Sequence, residues 1–123
     1  DRVDRWTITS KAGTRIAIVE ENAGEEKIEL STPAGVKGTF TDAANGSITF
    51  EDTSGNSITL DPQGILLRAS GKVRVEASQV EVSAGIVRVD AGMSTFSGVV
   101  RCDVLQATTV MGTSYTPGAG NIW

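Results

Sequence analysis

The sequence predicts an all-β protein, and three observations support this prediction. Val, Ile and Thr make up 36 of the 123 residues, whereas Leu contributes only five. Such β-branched side chains are stiff at χ1 and pack well on a pleated sheet. Short segments alternate apolar and polar residues, and 14 Gly separate them. The third observation is a seven-residue repeat in the second half of the chain.

The alternating segments come first along the chain. Ile16–Ile18, Ile28–Leu30, Ile48–Phe50 and Ile58–Leu60 each place an apolar residue, a polar or small residue and a second apolar residue in succession. This period of two predicts strands with one buried face. Asn and Gly, which favour turns, lie between them at 22–24, 44–46 and 54–56.

The seven-residue repeat is clearest between residues 71 and 91. Gly71–Ala77, Ser78–Ala84 and Gly85–Ala91 all follow the pattern x-x-Val-x-Val-x-Ala. Related spacing extends back through Ile65 to Ile58, and looser copies are expected before that. A coiled coil also repeats every seven residues, but its apolar positions are three and four apart. Here they are two apart and Gly interrupts them, which disfavours a helix.

One such unit cannot bury its own apolar face, so the units must stack. A single-chain β-helix needs three strands per coil, and this chain would form only a few coils with a thin core. Three identical chains would instead complete every layer by symmetry. We therefore favour an intertwined homotrimeric, triple-stranded β-helix or β-prism, with the single-chain β-helix as the alternative. The predicted trimer core consists of Ile58, Leu60, Ile65, Leu67, Val73, Val75, Val80, Val82, Val87 and Val89.

Composition excludes several kinds of functional site. The chain has no His and one Cys, so it cannot hold a Ser-His-Asp triad, a His-ligated metal, a thiolate zinc site or an intrachain disulfide. The carboxylates Asp42, Glu51, Asp52 and Asp61 lie beside turns, which is typical of solvated turn residues. We therefore predict no catalytic residues, no metal site, no cofactor and no enzyme activity. The net charge of −4 argues against a nucleic-acid partner.

Three parts are predicted along the chain. Residues 1–30 form a leading segment, residues 31–103 a repetitive shaft, and residues 104–123 a C-terminal part without charged side chains. Because the chain begins with Asp1 rather than Met, we expect a segment of a longer protein. The uncharged part predicts a surface that caps its own trimer or docks another protein. Both alternatives stay open, and they involve the same residues, Tyr115, Pro117, Ile122 and Trp123.

These residues resemble the C-terminal β-helical needle of spike proteins from contractile injection systems, the VgrG-like and phage baseplate-assembly-V-like spikes. Thr9–Ile16 and Glu26–Leu30 resemble the stretch that leaves an upstream OB-like domain. Gly55–Ile65 is similar to the family pattern G-N-x-I-x-L-D-x-x-G-I, and the Val-x-Val-x-Ala units follow as in that family. Ser114–Trp123 resembles the end of spikes from phage-like extracellular systems.

The resemblance implies a homotrimeric needle that punctures the target-cell envelope. It implies a PAAR-type tip protein at the C-terminal end, and contacts with tube and baseplate proteins through the upstream part. The needle would belong to an injection particle resembling a phage tail. Some phage spikes hold iron at the apex through His-x-His, which this chain lacks. The alternative function is a trimeric tail-fibre or adhesin stalk that mediates host binding.

Overall fold

The computed structural model describes residues 5–116, and the chain divides into two compact units between Val80 and Glu81. Seven strands of five residues each lie in the first unit. They are β1 (Arg5–Thr9), β2 (Arg15–Val19), β3 (Lys27–Ser31), β4 (Lys37–Thr41), β5 (Ser47–Glu51), β6 (Ser57–Asp61) and β7 (Gly64–Arg68). A single 3₁₀ turn at Ala43–Asn45 connects β4 to β5. In the described part of the chain, no helix is long and apolar enough to cross a membrane.

The seven strands form one antiparallel sheet in sequence order, in which each strand pairs with the next. We call it the meander sheet. Five-residue connections link β1 to β2, β3 to β4, β4 to β5 and β5 to β6, and the last hairpin turns through Pro62 and Gln63. Every pairing is therefore local in sequence. Antiparallel strands accept such short connections because they need no crossover.

Successive side chains of a strand point to opposite faces, so the register decides the character of each face. In every strand of the meander sheet, the second and fourth residues fall on one face and pair with their equivalents in the next strand. The other face carries mostly Thr, Ser and charged residues. Ala17, Val19 and Leu66 are apolar exceptions on that polar face.

Residues 69–116 contain neither helix nor strand. The segment of Val-x-Val-x-Ala units, residues 71–91, which we call the rung segment, is exposed throughout. Among residues 5–116, the rung segment pairs with no strand of its own chain. This differs from the alternating segments before it, whose partners are the adjacent hairpin strands.

One expectation about the repeat is wrong. Looser copies of the seven-residue unit were expected before Ile58, but β1 to β6 begin ten to twelve residues apart. A hairpin strand of five residues and the connection that reverses the chain together take more than seven residues.

The predicted division at residue 30 falls inside β3, where the sheet continues without a break. The three-part division stays a prediction about the assembled protein.

Candidate trimerisation surface

One face of the meander sheet is a continuous apolar surface built from two rows of seven residues. Each row crosses all seven strands, because directly paired residues share a face. Thirteen of the fourteen positions hold large apolar side chains, and the remaining position is Gly38. We call this surface the apolar face. The first row is Ile8, Ile16, Leu30, Gly38, Phe50, Ile58 and Leu67, and the second is Trp6, Ile18, Ile28, Phe40, Ile48, Leu60 and Ile65.

The apolar face is largely uncovered in the single chain. Trp6 is 57% exposed, Phe50 44% and Ile65 76%. Among the described residues, the buried apolar side chains are Ala17 and Val19, which lie on the opposite face. The chain exposes 11360 Å² of surface, whereas a compact monomer of this mass exposes about 6,300 Å². The described residues of a single chain therefore form no extended hydrophobic core, and the apolar face is available for contact with a partner.

Gly38 shapes the middle of the apolar face. It lies directly opposite Phe50 on β5, and a Cβ atom at this position would come within 3.2 Å of the Phe50 ring. The absence of a side chain lets the Phe50 ring lie over β4. There it contacts Phe40 edge-to-face, with ring centroids 5.9 Å apart and ring planes at 87°. This arrangement leaves two shallow grooves, of about 700 and 800 Å³, along the two rows.

The polar face is organised around Glu29 on β3. Its carboxylate lies 2.9 Å from Lys27 Nζ and 3.9 Å from an Arg15 guanidinium nitrogen. The hydrogen bond from Lys27 lowers the pKa of Glu29, partial burial opposes this, and the charges of Lys27, Arg15 and Lys37 lower it further. On the neighbouring strands, Lys37 Nζ lies 3.7 Å from a Glu51 oxygen. Charges of both signs on this face pair with one another across neighbouring strands.

Three connections at the same end of the sheet share one structure. Each begins with Ser10, Thr32 or Asp52, whose side chain accepts a hydrogen bond from the backbone N–H four residues later, at 3.0, 3.2 and 3.0 Å. Each has Gly at its fourth position with φ of +103°, +106° and +93°. Residues with a side chain rarely adopt a positive φ of this size, which explains why Gly occupies these positions. These positions are Gly13, Gly35 and Gly55.

The connections also touch one another in order. A Cβ at Gly13 would lie 3.5 Å from Pro33, one at Gly35 would lie 3.3 Å from Thr53, and one at Gly55 would lie 3.4 Å from Ser70. Sequence reasoning missed this ladder. The signal was present as Ser, Thr or Asp followed three residues later by Gly, starting at 10, 32 and 52.

The Asp52 connection has the densest hydrogen bonding. Asp52 Oδ1 accepts from the backbone N–H groups of Ser54 and Asn56, and Oδ2 accepts from Asn56 Nδ2 at 2.7 Å. These hydrogen bonds, the Asn56 side chain first, lower the pKa of Asp52. Asn56 Oδ1 in turn accepts from the backbone N–H of Ser70 at 3.0 Å. The connection thereby fixes the chain just after β7.

The predicted core residues fall into two groups. Ile58, Leu60, Ile65 and Leu67 lie together on the apolar face. The predicted valines of the rung segment lie in no strand, and their exposed fractions range from 54 to 74%. Burial of both groups in a trimer stays a prediction. The valines are Val73, Val75, Val80, Val82, Val87 and Val89.

The prediction omitted the apolar residues of β1 to β5, from Trp6 to Phe50, although their alternation was visible in the sequence. For the C-terminal surface, Tyr115 is 73% exposed. Pro117, Ile122 and Trp123 lie outside the described residues. Among residues 5–116, no group of three or more His, Cys, Asp or Glu side chains is arranged to hold a metal ion.

Comparison with known families supports this view of the surface. No curated protein matches the chain significantly. The family model for the phage baseplate V C-terminal trimerisation domain matches residues 27–93, more than half of the chain. This match spans β3 to β7 and the rung segment, and it confirms the predicted relationship to baseplate spikes and the trimeric all-β fold class. The chain therefore belongs to the phage baseplate V C-terminal trimerisation domain family, as a homotrimeric part of the baseplate spike in a phage tail-like particle.

Proposed function

We propose that the trimer is a needle that punctures the target-cell envelope when a contractile tail or injection system fires. Two observations on the described residues carry this proposal: the apolar face is largely uncovered, and the rung segment pairs with no strand of its own chain. In such a trimer each layer depends on all three chains. An axial load is then shared among three backbones instead of being borne by one.

The mechanical argument follows from the backbone hydrogen bonds. A chain whose strands pair with other chains cannot peel away without breaking many bonds at once, which favours slow unfolding. Pairing between chains also covers exposed strand edges, which otherwise invite aggregation. β-branched residues, stiff at χ1, fill the layers. These properties suit a shaft that transmits force and remains intact.

We propose that this part of the spike catalyses no reaction and binds no cofactor. The composition supports this, since the chain has no His and one Cys. Two carboxylates already have structural partners: Glu29 forms an ion pair with Lys27, and Asp52 accepts hydrogen bonds within its own connection. The needle acts through its shape and stability.

We also propose that the uncharged C-terminal part, residues 104–123, receives a PAAR-type tip protein, and that the upstream part contacts the tube. Tyr115 is exposed as an aromatic anchor for such a contact. The test replaces Tyr115 and Trp123 with Ser in the full-length spike. We expect the trimer to form and capture of a PAAR-type protein to be lost. Undiminished capture would contradict the docking proposal.

The puncturing proposal is tested in assembled particles carrying a spike that lacks residues 115–123. Adsorption to target cells and permeation of the envelope after contraction are measured separately. We expect normal adsorption and reduced permeation. A loss of adsorption with intact permeation per bound particle would favour the fibre or adhesin stalk instead. A matched control replaces the deleted residues with a Gly/Ser segment of equal length, which separates length from chemistry.

A further inference from the structure

The two ends of the strands in the meander sheet carry charges of opposite sign. We propose that, in the homotrimer, the basic strand ends of each meander sheet pair with the acidic strand ends of the neighbouring sheet, and that Lys37 and Asp42 form one of these ion pairs. This inference rests on the homotrimer and not on the puncturing role. It goes further by assigning which surface of the sheet faces each neighbour.

The basic ends lie along the first row of the apolar face. The groove there is bordered by four cations: the first residues of β2 and β4, the last residue of β7, and a lysine that follows β7. Two anions also border it, but Asp52 accepts hydrogen bonds within its own connection and Glu51 lies beside Lys37. We call the four cations the basic margin. They are Arg15, Lys37, Arg68 and Lys72.

The acidic ends lie along the second row, at the other end of the same strands. The groove there is bordered by four carboxylates, which end β6 or lie directly beside the ends of β2, β3 and β4. The only cation that borders it among the described residues is Lys27, which pairs with Glu29 on the polar face. We call the four carboxylates the acidic margin. They are Glu20, Glu26, Asp42 and Asp61.

The acidic margin has little compensation within its own chain. Among residues 5–116, none of its four carboxylates lies in an ion pair. Glu26 Oε1 is buried and accepts no hydrogen bond from these residues. Asp42 precedes the 3₁₀ turn without a side-chain capping hydrogen bond. Because a buried acceptor without a donor is costly, this margin favours contact with cations from another chain.

Symmetry decides which surfaces meet. A cyclic trimer uses two different surfaces of each protomer, one toward each neighbour. Joining three seven-stranded sheets through β1 and β7 would give a barrel larger than the porins, whose roughly 16–18 strands enclose an aqueous channel. Such a barrel would leave the apolar face in water. The rows of the apolar face therefore run along the three-fold axis, and the strand ends of neighbouring sheets meet.

The level of each contact follows from the same rotation. A rotation about an axis parallel to the rows keeps every strand at its own level. Lys37 is the first residue of β4, and Asp42 directly follows its last residue. The rotation therefore brings Lys37 of one protomer toward Asp42 of the next, three times around the axis. Arg15 and Glu20 flank β2 in the same way, so opposite charges meet at this level too.

Lys37 has capacity for this second anion. Its contact with Glu51 in its own chain is 3.7 Å long, and 44% of its side chain is exposed. An ammonium group has three donors. Asp42 of the neighbour therefore adds to the contact with Glu51 and does not have to replace it.

Cross-linking of the purified trimer tests which ends meet. In a Cys102→Ser background, Lys37→Cys is combined with Asp42→Cys. Within one chain these positions lie about 17 Å apart, at 3.4 Å per residue, so a thiol reagent with half that reach joins them only between protomers. The matched control combines Asp42→Cys with Thr39→Cys, which lies in the middle of the polar face.

We expect covalent trimers on a denaturing gel from the first pair alone. Covalent trimers from the control pair, or from neither pair, overturn the proposal. Light scattering before the reagent is added gives the mass, so failure of this contact is distinguished from failure of the trimer.

Charge reversal tests the electrostatic part. Lys37→Asp and Asp42→Lys each place like charges at the contact, so we expect each to lower the thermal midpoint of the trimer. The double variant restores opposite charges between protomers and should recover part of this loss. Because the two positions are far apart within one chain, loss of the contact between Lys37 and Glu51 predicts no recovery. A double variant whose loss equals the sum of the two single losses overturns the proposal.

Discussion

The meander sheet and the rung segment use the same β-branched composition but obtain their hydrogen bonds differently. In the meander sheet, each strand finds its partner in the next hairpin strand. The rung segment has no strand partner within the described part of the same chain. Both regions expose their apolar residues. The meander sheet therefore needs other chains to cover its side chains, whereas the rung segment needs them for side chains and backbone alike.

This difference predicts an order of assembly. Local hairpin contacts form early because they close short loops at little entropic cost. The meander sheet can therefore begin to pair before protomers meet, and its apolar face then brings three chains together. The rung segment has to wait for that encounter. Substitutions in the two regions should consequently have different effects.

The largest effect is expected in the rung segment. Val82→Asp places a carboxylate at a predicted core position, repeated three times around the axis. Burying an unpaired charge costs several kcal/mol in each protomer, so we expect the trimer to be lost. The matched control Ser83→Asp puts the same charge at the neighbouring polar position and should leave the trimer intact. Light scattering measures both masses, and a stable Val82→Asp trimer would refute the predicted core.

A smaller effect is expected in the meander sheet from Gly38→Ala. The new Cβ would approach the Phe50 ring to 3.2 Å, and Phe50 would have to move off β4. Overpacking of this kind costs about 1–3 kcal/mol, which lowers the thermal midpoint without dissociating the trimer at high concentration. Thr39→Ala, one residue along on the polar face, is the control. Both are compared at equal protein concentration because trimer stability depends on it.

If Gly38→Ala is as stable as Thr39→Ala, the apolar face is not packed closely around Phe50 in the trimer. That outcome would also weaken the difference drawn between the two faces of the sheet. A decrease confined to Gly38→Ala would instead show that the Phe50 ring stays packed over β4 at Gly38 in the trimer.

Much of the meander sheet could be predicted from local sequence. Ile28–Leu30 and Ile48–Phe50 were assigned to strands correctly, because alternation with period two reports directly on one buried face. The partner of a strand is a different matter, since alternation does not say which strand lies beside it. The seven-residue repeat was therefore extended too far toward the N-terminus, and the ten-residue hairpin spacing was missed.

The surface was predicted less completely than the fold. The core prediction began at Ile58 because the regular repeat begins there, so Phe50 and its neighbour Gly38 were left out. A glycine that makes room for a ring across a strand pair has no signature in one sequence. The same holds for Ser70, whose contact with Asn56 joins residues 14 apart. Contacts of this kind depend on the three-dimensional register.

The smallest effect is expected from charge on the polar face. Because the pKa of Glu29 is lowered in the folded protein from 4.5, its contribution to stability is present above that value and is lost as the pH falls below it. Glu29→Gln should therefore flatten the decrease in thermal midpoint that follows when the pH falls below 4.5. Its partners are partly exposed, so the effect at neutral pH stays below about 1 kcal/mol per protomer.

Salt concentration provides the control for this prediction. The Glu29 side chain is 18% exposed, and the Arg15 and Lys27 side chains are 38% and 37% exposed, so added salt should screen much of their attraction. We expect high salt to reduce the difference between wild type and Glu29→Gln, and to leave the effect of Gly38→Ala unchanged. If salt weakens both equally, ionic contacts also hold the apolar face together, and the division of roles between the two faces fails.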